Sequence, residues 1–459
     1  MNDANRNRRL IGLSVLAAAL LAFATAASAQ IDANAAAQKT NRNNDQDQQQ
    51  EERHNRDVQY ERKVKPGTMS EGMYRQLERV QNLISDEKYS EAEEQAKKLV
   101  DRAGSDYEEA VAAQTLGHIY AAEDNYPQAI VQFKRAVELD ALPNPTHYGM
   151  IYNIAQLLIS TEKYDDGLQW LNRYFNGVPV EAVDLNAYVL AASANAELNN
   201  YRTAIDYIKK ALSLSKTPKE SWYQLLLAMH FELKDYDTAA QVLEKMVKLW
   251  PDKKQYWTQL SSVYLELSKD KKALAVLELA HTKGVLDKAS DWKQLGQLYL
   301  YLNIPFEGAK ILQEGIDKGF IEADKENLEL LGNAWYAAHE LDNSLEAFKR
   351  AGKLSTDGKL DMRRAYLLVD QEKWKEAREA LRAALDKGGI KDEGNAYILL
   401  GMSQFELDNY DAARDAFHKA MNYDDARKAA GQWLKYVEDA EREEQANQQA
   451  AASGNAESM

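Results

Sequence analysis

Ten small residues recur through this chain at an almost fixed interval: Ala92, Ala129, Gly167, Ala204, Ala239, Ala273, Gly308, Ser344, Ala377 and Ala413. Successive gaps run from 33 to 38 residues. The fullest copies, DNYPQAIVQFKRA at 124–136 and DNYDAARDAFHKA at 408–420, share the pattern aromatic-x2-Ala-x3-Phe-x2-Ala. Amphipathicity alone does not demand a small side chain so regularly. Twelve residues before the anchors stands a second small site: Gly117, Ala155, Ala192, Ser261, Gly296, Gly332, Ala365 and Gly401. Val80 and Leu227 break the rule in the first and fifth copies. A glycine inside a helix costs about 1 kcal/mol relative to alanine. Gly296 in WKQLGQLY (292–299) is explained if two antiparallel helices cross closely where neither carries bulk. Trp292, Leu295 and Tyr299 are then expected to fill the space around the crossing.

Such hairpins cannot bury both faces alone, so they stack. A period near 34 with W-x2-L-G-x2-Y and then A-x3-F resembles the tetratricopeptide repeat. WKQLGQLY fits the first half, and WTQLSSVY (257–264) differs by Ser261 in place of the glycine. The expected fold is all-α: an α-solenoid of about ten tetratricopeptide-type helical hairpins spanning residues 69–440. Within that span ARKAAGQWLKYVEDAERE opens after the last hairpin as a C-terminal capping helix, and residues 441–459 read as a disordered tail. Several hairpins end in TKG or DKG (282–284, 317–319, 386–388), a lysine followed by a helix-ending glycine.

The start of the chain reads as an address. Arg6, Arg8 and Arg9 precede an apolar run from Leu10 to Ala26, and Ala27-Ser28-Ala29 supplies a small-x-small cleavage site. Residues 1–29 are expected to be a cleaved signal peptide rather than an uncleaved anchor, which places the mature chain in the periplasm of a bacterium. Residues 30–68 hold the tract QKTNRNNDQDQQQEERHNRD, too polar to offset the entropy of ordering, and read as a disordered polar tether. The whole chain carries a net charge of -15, and residues 1–29 contribute three arginines against Asp3, leaving the remainder at -17. That acidity argues against nucleic acid and anionic membrane surfaces as partners, and no second long apolar run offers stable membrane insertion after cleavage.

Chemistry is sparse. There is no cysteine, so disulfides, thiolate metal sites and cysteine nucleophiles are excluded. The 7 histidines are scattered without ligand spacing, and no phosphate-cradling glycine loop or nucleophile elbow occurs. Neither an enzyme nor a cofactor is expected. A stack of hairpins instead offers an inner wall built from first helices. The side chains expected there are Gln114, Tyr152, Gln156, Gln224, Phe231, Gln297, Asn333, Tyr336, Tyr366 and Phe405, with His118, Glu326 and Met402 beside them. The set is rich in amides and aromatics and poor in Lys and Arg, which suits an extended peptide or a helix of a protein partner.

PDKKQYWTQLSSVYLEL (251–267), LNIPFEGAKILQEGIDKGFI (302–321) and AAGQWLKYVEDA (429–440) carry a narrower resemblance. They are similar to the periplasmic tetratricopeptide proteins encoded beside TonB–ExbB–ExbD systems of gammaproteobacteria. The resemblance implies a non-enzymatic accessory of TonB-dependent outer-membrane transport, with TonB or its membrane complex as partner. The alternative is a periplasmic coordinator of cell-wall synthesis and outer-membrane constriction.

Overall fold

The computed structural model describes residues 59–65 and 67–456. The signal peptide expected over 1–29 and most of the tether lie outside the described residues. Among the described residues there are 21 α-helices and no strand. The chain divides into two compact units, one ending at Ser268 and the other starting at Lys269.

The first unit pairs α1 (Glu71–Ser85) with α2 (Tyr89–Arg102), α3 (Asp106–Ala122) with α4 (Tyr126–Glu138), and α5 (Asn144–Ser160) with α6 (Tyr164–Gly177). It continues with α7 (Leu185–Glu197) and α8 (Tyr201–Leu214), α9 (Glu220–Glu232) and α10 (Tyr236–Leu249), and closes on α11 (Lys254–Glu266). The second unit opens on α12 (Asp270–Thr282), then pairs α13 (Ala289–Tyr301) with α14 (Pro305–Asp317) and α15 (Lys325–Ala337) with α16 (Leu341–Leu354). There follow α17 (Lys359–Asp370) with α18 (Trp374–Lys387), α19 (Glu393–Phe405) with α20 (Tyr410–Ala420), and the long α21 (Arg427–Ala456).

The periodic small residues are where the sequence put them. All ten anchors and all eight earlier small sites are buried, and so are Val80 and Leu227. The crossings are tight: the Ser344 hydroxyl donates to the Gly332 carbonyl at 2.9 Å. A Cβ added to Gly308 would lie 2.9 Å from the Gly296 carbonyl oxygen, which backbone cannot vacate. Close approach therefore outweighs the propensity cost of these glycines. Trp292, Leu295 and Tyr299 are buried as expected. The Trp292 indole donates to the Leu286 carbonyl at 3.1 Å and stacks on Phe320 at 5.0 Å.

Each first helix ends in the same way. One residue, seven after the small site, has a positive φ: Glu87, Asp124, Glu162, Asn199, Lys234, Ser268, Asn303, His339, Glu372 and Asp408. The next amide reaches back to close the turn, as Asp235 N–H does to the His230 carbonyl at 2.8 Å. None of the ten is glycine, although a side chain in the left-handed region costs roughly 1–2 kcal/mol. Lys234→Gly should therefore raise stability by about 0.5 kcal/mol once the extra unfolded-state entropy of glycine is counted; urea titration followed by circular dichroism would read it. At the other ends, Gly284, Gly319 and Gly388 have positive φ, in agreement with the TKG and DKG reading.

Both ends of the solenoid depart from the sequence expectation. Residues 59–65, read as tether, pack on the first unit: the Arg62 side chain is only 13% exposed and its guanidinium binds Asp140, Leu142 and Asn144. Carbonyl acceptors more than seventy residues away leave no trace in local composition. The last helix runs to Ala456, past residue 440 into the stretch read as a disordered tail. Its Ala, Glu, Gln and Arg are strong helix formers, and Arg414 of α20 pairs with Glu441 of α21. The cap itself is as expected, with Val437 and Ala430 buried and Trp433 stacked on Phe417 at 5.6 Å.

Candidate partner-binding surfaces

Within each unit the first helices of successive hairpins come closer together than the second helices do: α1 meets α3, α5 meets α7, and α17 meets α19. A stack whose first helices are closer must curve with those helices inside, so each unit has an inner wall of odd-numbered helices.

The ten residues expected on that wall divide into three groups. Gln297, Tyr336 and Tyr366 face solvent, Tyr336 at 46% exposure and Tyr366 at 41%. The Tyr366 hydroxyl accepts from the Asn395 amide at 3.1 Å, which adds Asn395 of α19 to the surface. Gln114, Tyr152, Gln156, Gln224 and Asn333 are half-buried and partly engaged. Tyr152 stacks on Tyr174 at 5.2 Å, and burial, with the nearby Asp184 charge, holds its hydroxyl well above the ordinary phenol pKa. The Gln224 amide donates to the Tyr256 hydroxyl at 2.8 Å, and Tyr256 in turn donates to Glu220. Burial of Tyr256, followed by that bond to Glu220, pushes its pKa up to about 12.

The other two leave the wall. Phe231 is buried, its ring 6.4 Å from Tyr236 at the start of α10, so it belongs to the hairpin core. Phe405 is covered by the last helix, with its ring 6.0 Å from Trp433 and 5.2 Å from Tyr436. Helical spacing placed both on the right side of their helices; the neighbouring element then covered them.

Sequence reasoning missed a rim beside the wall. Tyr301, Ile304 and Phe306, at the turn between α13 and α14, are all exposed. The Phe306 ring meets the buried Trp335 edge-on at 5.8 Å, so this rim adjoins the helix that carries Tyr336. The signal lay in the apolar letters of N-I-P-F-E, in a turn where polar residues are the rule. Among the described residues no group of acidic, histidine or cysteine side chains is placed to hold a metal ion, and no helix is long and apolar enough to cross a membrane.

Residues 362–427 match the tetratricopeptide repeat family, and residues 118–288 match a family described as ChAPs (Chs5p-Arf1p-binding proteins). No curated protein matches the chain. Similar solved structures include a tetratricopeptide repeat protein from Parabacteroides merdae, 14% identical, covering 59% of this chain and 100% of that one with a TM-score of 0.35. MamA from Desulfovibrio magneticus is 20% identical over 40% of this chain and 99% of its own, with a TM-score of 0.34. YrrB, a tetratricopeptide protein with an unusual peptide-binding site, is 16% identical over 43% of this chain and 100% of its own, with a TM-score of 0.31. Residues 362–427 are thus similar to the tetratricopeptide repeat, and the described residues as a whole are an all-α succession of helical hairpins of matching length with paired small residues.

Proposed function

We propose that this chain is a non-enzymatic protein-binding scaffold of the periplasm, an accessory of TonB-dependent outer-membrane transport that docks TonB or its membrane complex. The export-type leader and the resemblance of residues 251–267, 302–321 and 429–440 support the setting. The observation that carries the binding role is the open inner wall of the second unit. There Gln297, Tyr336, Tyr366 and Asn395 present amides and aromatic faces to solvent from four successive first helices. Tyrosine offers large contact area at low entropic cost, and such residues dominate binding energy where they anchor a partner.

A photo-crosslinking residue at Tyr336 or Tyr366, introduced in cells, should capture TonB, its membrane partners or an outer-membrane receptor. Tyr336→Ala with Tyr366→Ala should lower capture from a crosslinker at Gln297 at least tenfold while the melting temperature stays put, because both rings are exposed. A captured set without TonB, its membrane partners and every receptor would remove the transport reading.

A further inference from the structure

We propose that the pocket formed by Asp140, Leu142, Asn144 and Tyr148 is a docking site for extended protein segments carrying an aromatic residue two positions before an arginine, and that Tyr60 and Arg62 of this chain are its resident occupant. The surface is separate from the inner wall of the second unit.

The pocket reads three features of the segment. Arginine is recognised by a fork of acceptors: Arg62 Nε donates to Asp140 Oδ1 at 2.7 Å and Nη2 to the Asp140 carbonyl at 2.6 Å. Nη1 reaches the Leu142 carbonyl and Asn144 Oδ1, both at 2.9 Å. A lysine ammonium cannot match four acceptors spread around a plane. Main chain is read by Asn144, whose amide donates to the Arg62 carbonyl at 2.9 Å, a bond that any residue at that position would make. The aromatic ring is read by Tyr148, which stacks on Tyr60 at 5.7 Å with the planes 9° apart.

The receptor half belongs to the solenoid and not to the segment. Asp140, Leu142 and Asn144 lie at the connection from α4 to α5, and Tyr148 stands on α5. Its ring packs so closely over Gly177 that an added Cβ there would lie 2.0 Å from it. Asp140 adopts φ 50, and both its carboxylate and its carbonyl meet the same guanidinium. A preformed pocket with a short linear occupant is the arrangement of a peptide receptor holding a ligand in cis. Tethering places the resident segment at an effective concentration on the order of millimolar, so a partner segment gains access only by binding better or when the resident is released.

The test uses the full chain with Tyr60→Ser and Arg62→Ala, and a fluorescein-labelled peptide covering residues 55–66 read by anisotropy. The variant should bind the peptide saturably, with the wild type at least tenfold weaker because its own segment competes. Arg62→Ala in the peptide, or Asn144→Ala added to the protein, should each weaken binding at least tenfold. A variant of wild-type helicity that shows no saturable binding at millimolar peptide would overturn the proposal and make the segment a structural tie. Equal binding by wild type and variant would overturn it too, since the peptide would then sit elsewhere. A wild-type dimer that Arg62→Ala dissociates would show exchange between copies and overturn the assignment in cis. Should the double variant lose helicity, Arg62→Lys opens the fork while keeping the charge, and the same readings apply. None of these outcomes bears on crosslinking from Tyr336, so the two surfaces stand or fall separately.

Discussion

Ala129→Trp is expected to unfold the second hairpin and to lower the melting temperature of the first unit by about 10 °C or more. Ala129 is completely buried in α4, the helix that packs on α3 with its Gly117. Even that glycine has no slack, since a Cβ added there would meet the Phe133 ring at 2.5 Å. Overpacking a filled core by one or two methylenes costs about 1–3 kcal/mol, and an indole exceeds any space on offer, so at least about 4 kcal/mol is expected. In a stack, each hairpin touches mainly its neighbours, so helicity should be lost in steps rather than in one transition. Circular dichroism melts and limited proteolysis between 102 and 144 would show it. Val131, on the same helix and 52% exposed, supplies the control. Val131→Trp should melt like the wild type. If the Ala129→Trp melt overlays the wild-type curve as well, the helices do not cross closely there.

The same crossings show why the fold was legible. Size trades across most hairpins, between the first small site and the residue sixteen later: Gly117 with Phe133, Gly332 with Phe348 and Gly401 with Phe417. Where the first site is alanine, as at Ala155, Ala192 and Ala365, the later residue is Leu171, Ile208 or Leu381. Val80, which breaks the small-residue rule, faces a position where the chain has Ala96. Volume is conserved although identity is not, which is what dense packing requires. Gly296 with Leu312 and Leu227 with Leu243 do not follow this trade; the close approach of Gly308 to Gly296 accounts for the first, and nothing in the structure explains the second.

Other features had no local signature. The positive-φ residues at the hairpin turns are Glu, Asp, Asn, Lys, Ser and His, so no glycine advertised the turn. Arg62 sits in a polar stretch, and its worth comes from carbonyls whose position only the fold determines. The inner wall was legible through helix spacing where no further element covers it, at Gln297, Tyr336 and Tyr366. It was illegible at Phe405, because covering by α21 depends on how the last helix folds back. A one-helix pattern predicts the side a residue faces, not what lies opposite.

Acid should weaken the first unit between about pH 6.5 and pH 4, with His147 as a principal cause. His147 is buried, and burial, reinforced by the Arg62 charge, lowers its pKa to about 4; Asp140 opposes this weakly and Arg173 adds to it. In the unfolded chain the imidazole titrates near 6.5. Between the two values the unfolded state holds a proton that the folded state refuses, so stability rises with pH across this window and is lost on acidification. A difference of that size corresponds to about 3 kcal/mol, fully lost only below about pH 4. His230, lowered as well by burial, adds slope in the same direction. The diagnostic quantity is therefore the difference between wild type and His147→Gln, from urea unfolding at pH 7 and pH 4.5. Glu108 acts in a separate window. Its carboxylate accepts from the Ser70 amide at 2.7 Å and the Gly104 amide at 2.8 Å, bonds that hold its pKa below the ordinary range. Its contribution is present above the normal carboxylate pKa and fades only as pH falls through the lowered value, so Glu108→Gln should leave the difference between pH 7 and pH 4.5 nearly intact. Identical pH dependence for wild type and His147→Gln would show that the imidazole titrates normally in the folded state. Since a protonated His147 would stand beside the Arg62 guanidinium, the same titration should release the resident segment before the hairpins open. In the Tyr60→Ser, Arg62→Ala variant, the labelled peptide of residues 55–66 should likewise bind more weakly at pH 5 than at pH 7, a loss that His147→Gln abolishes.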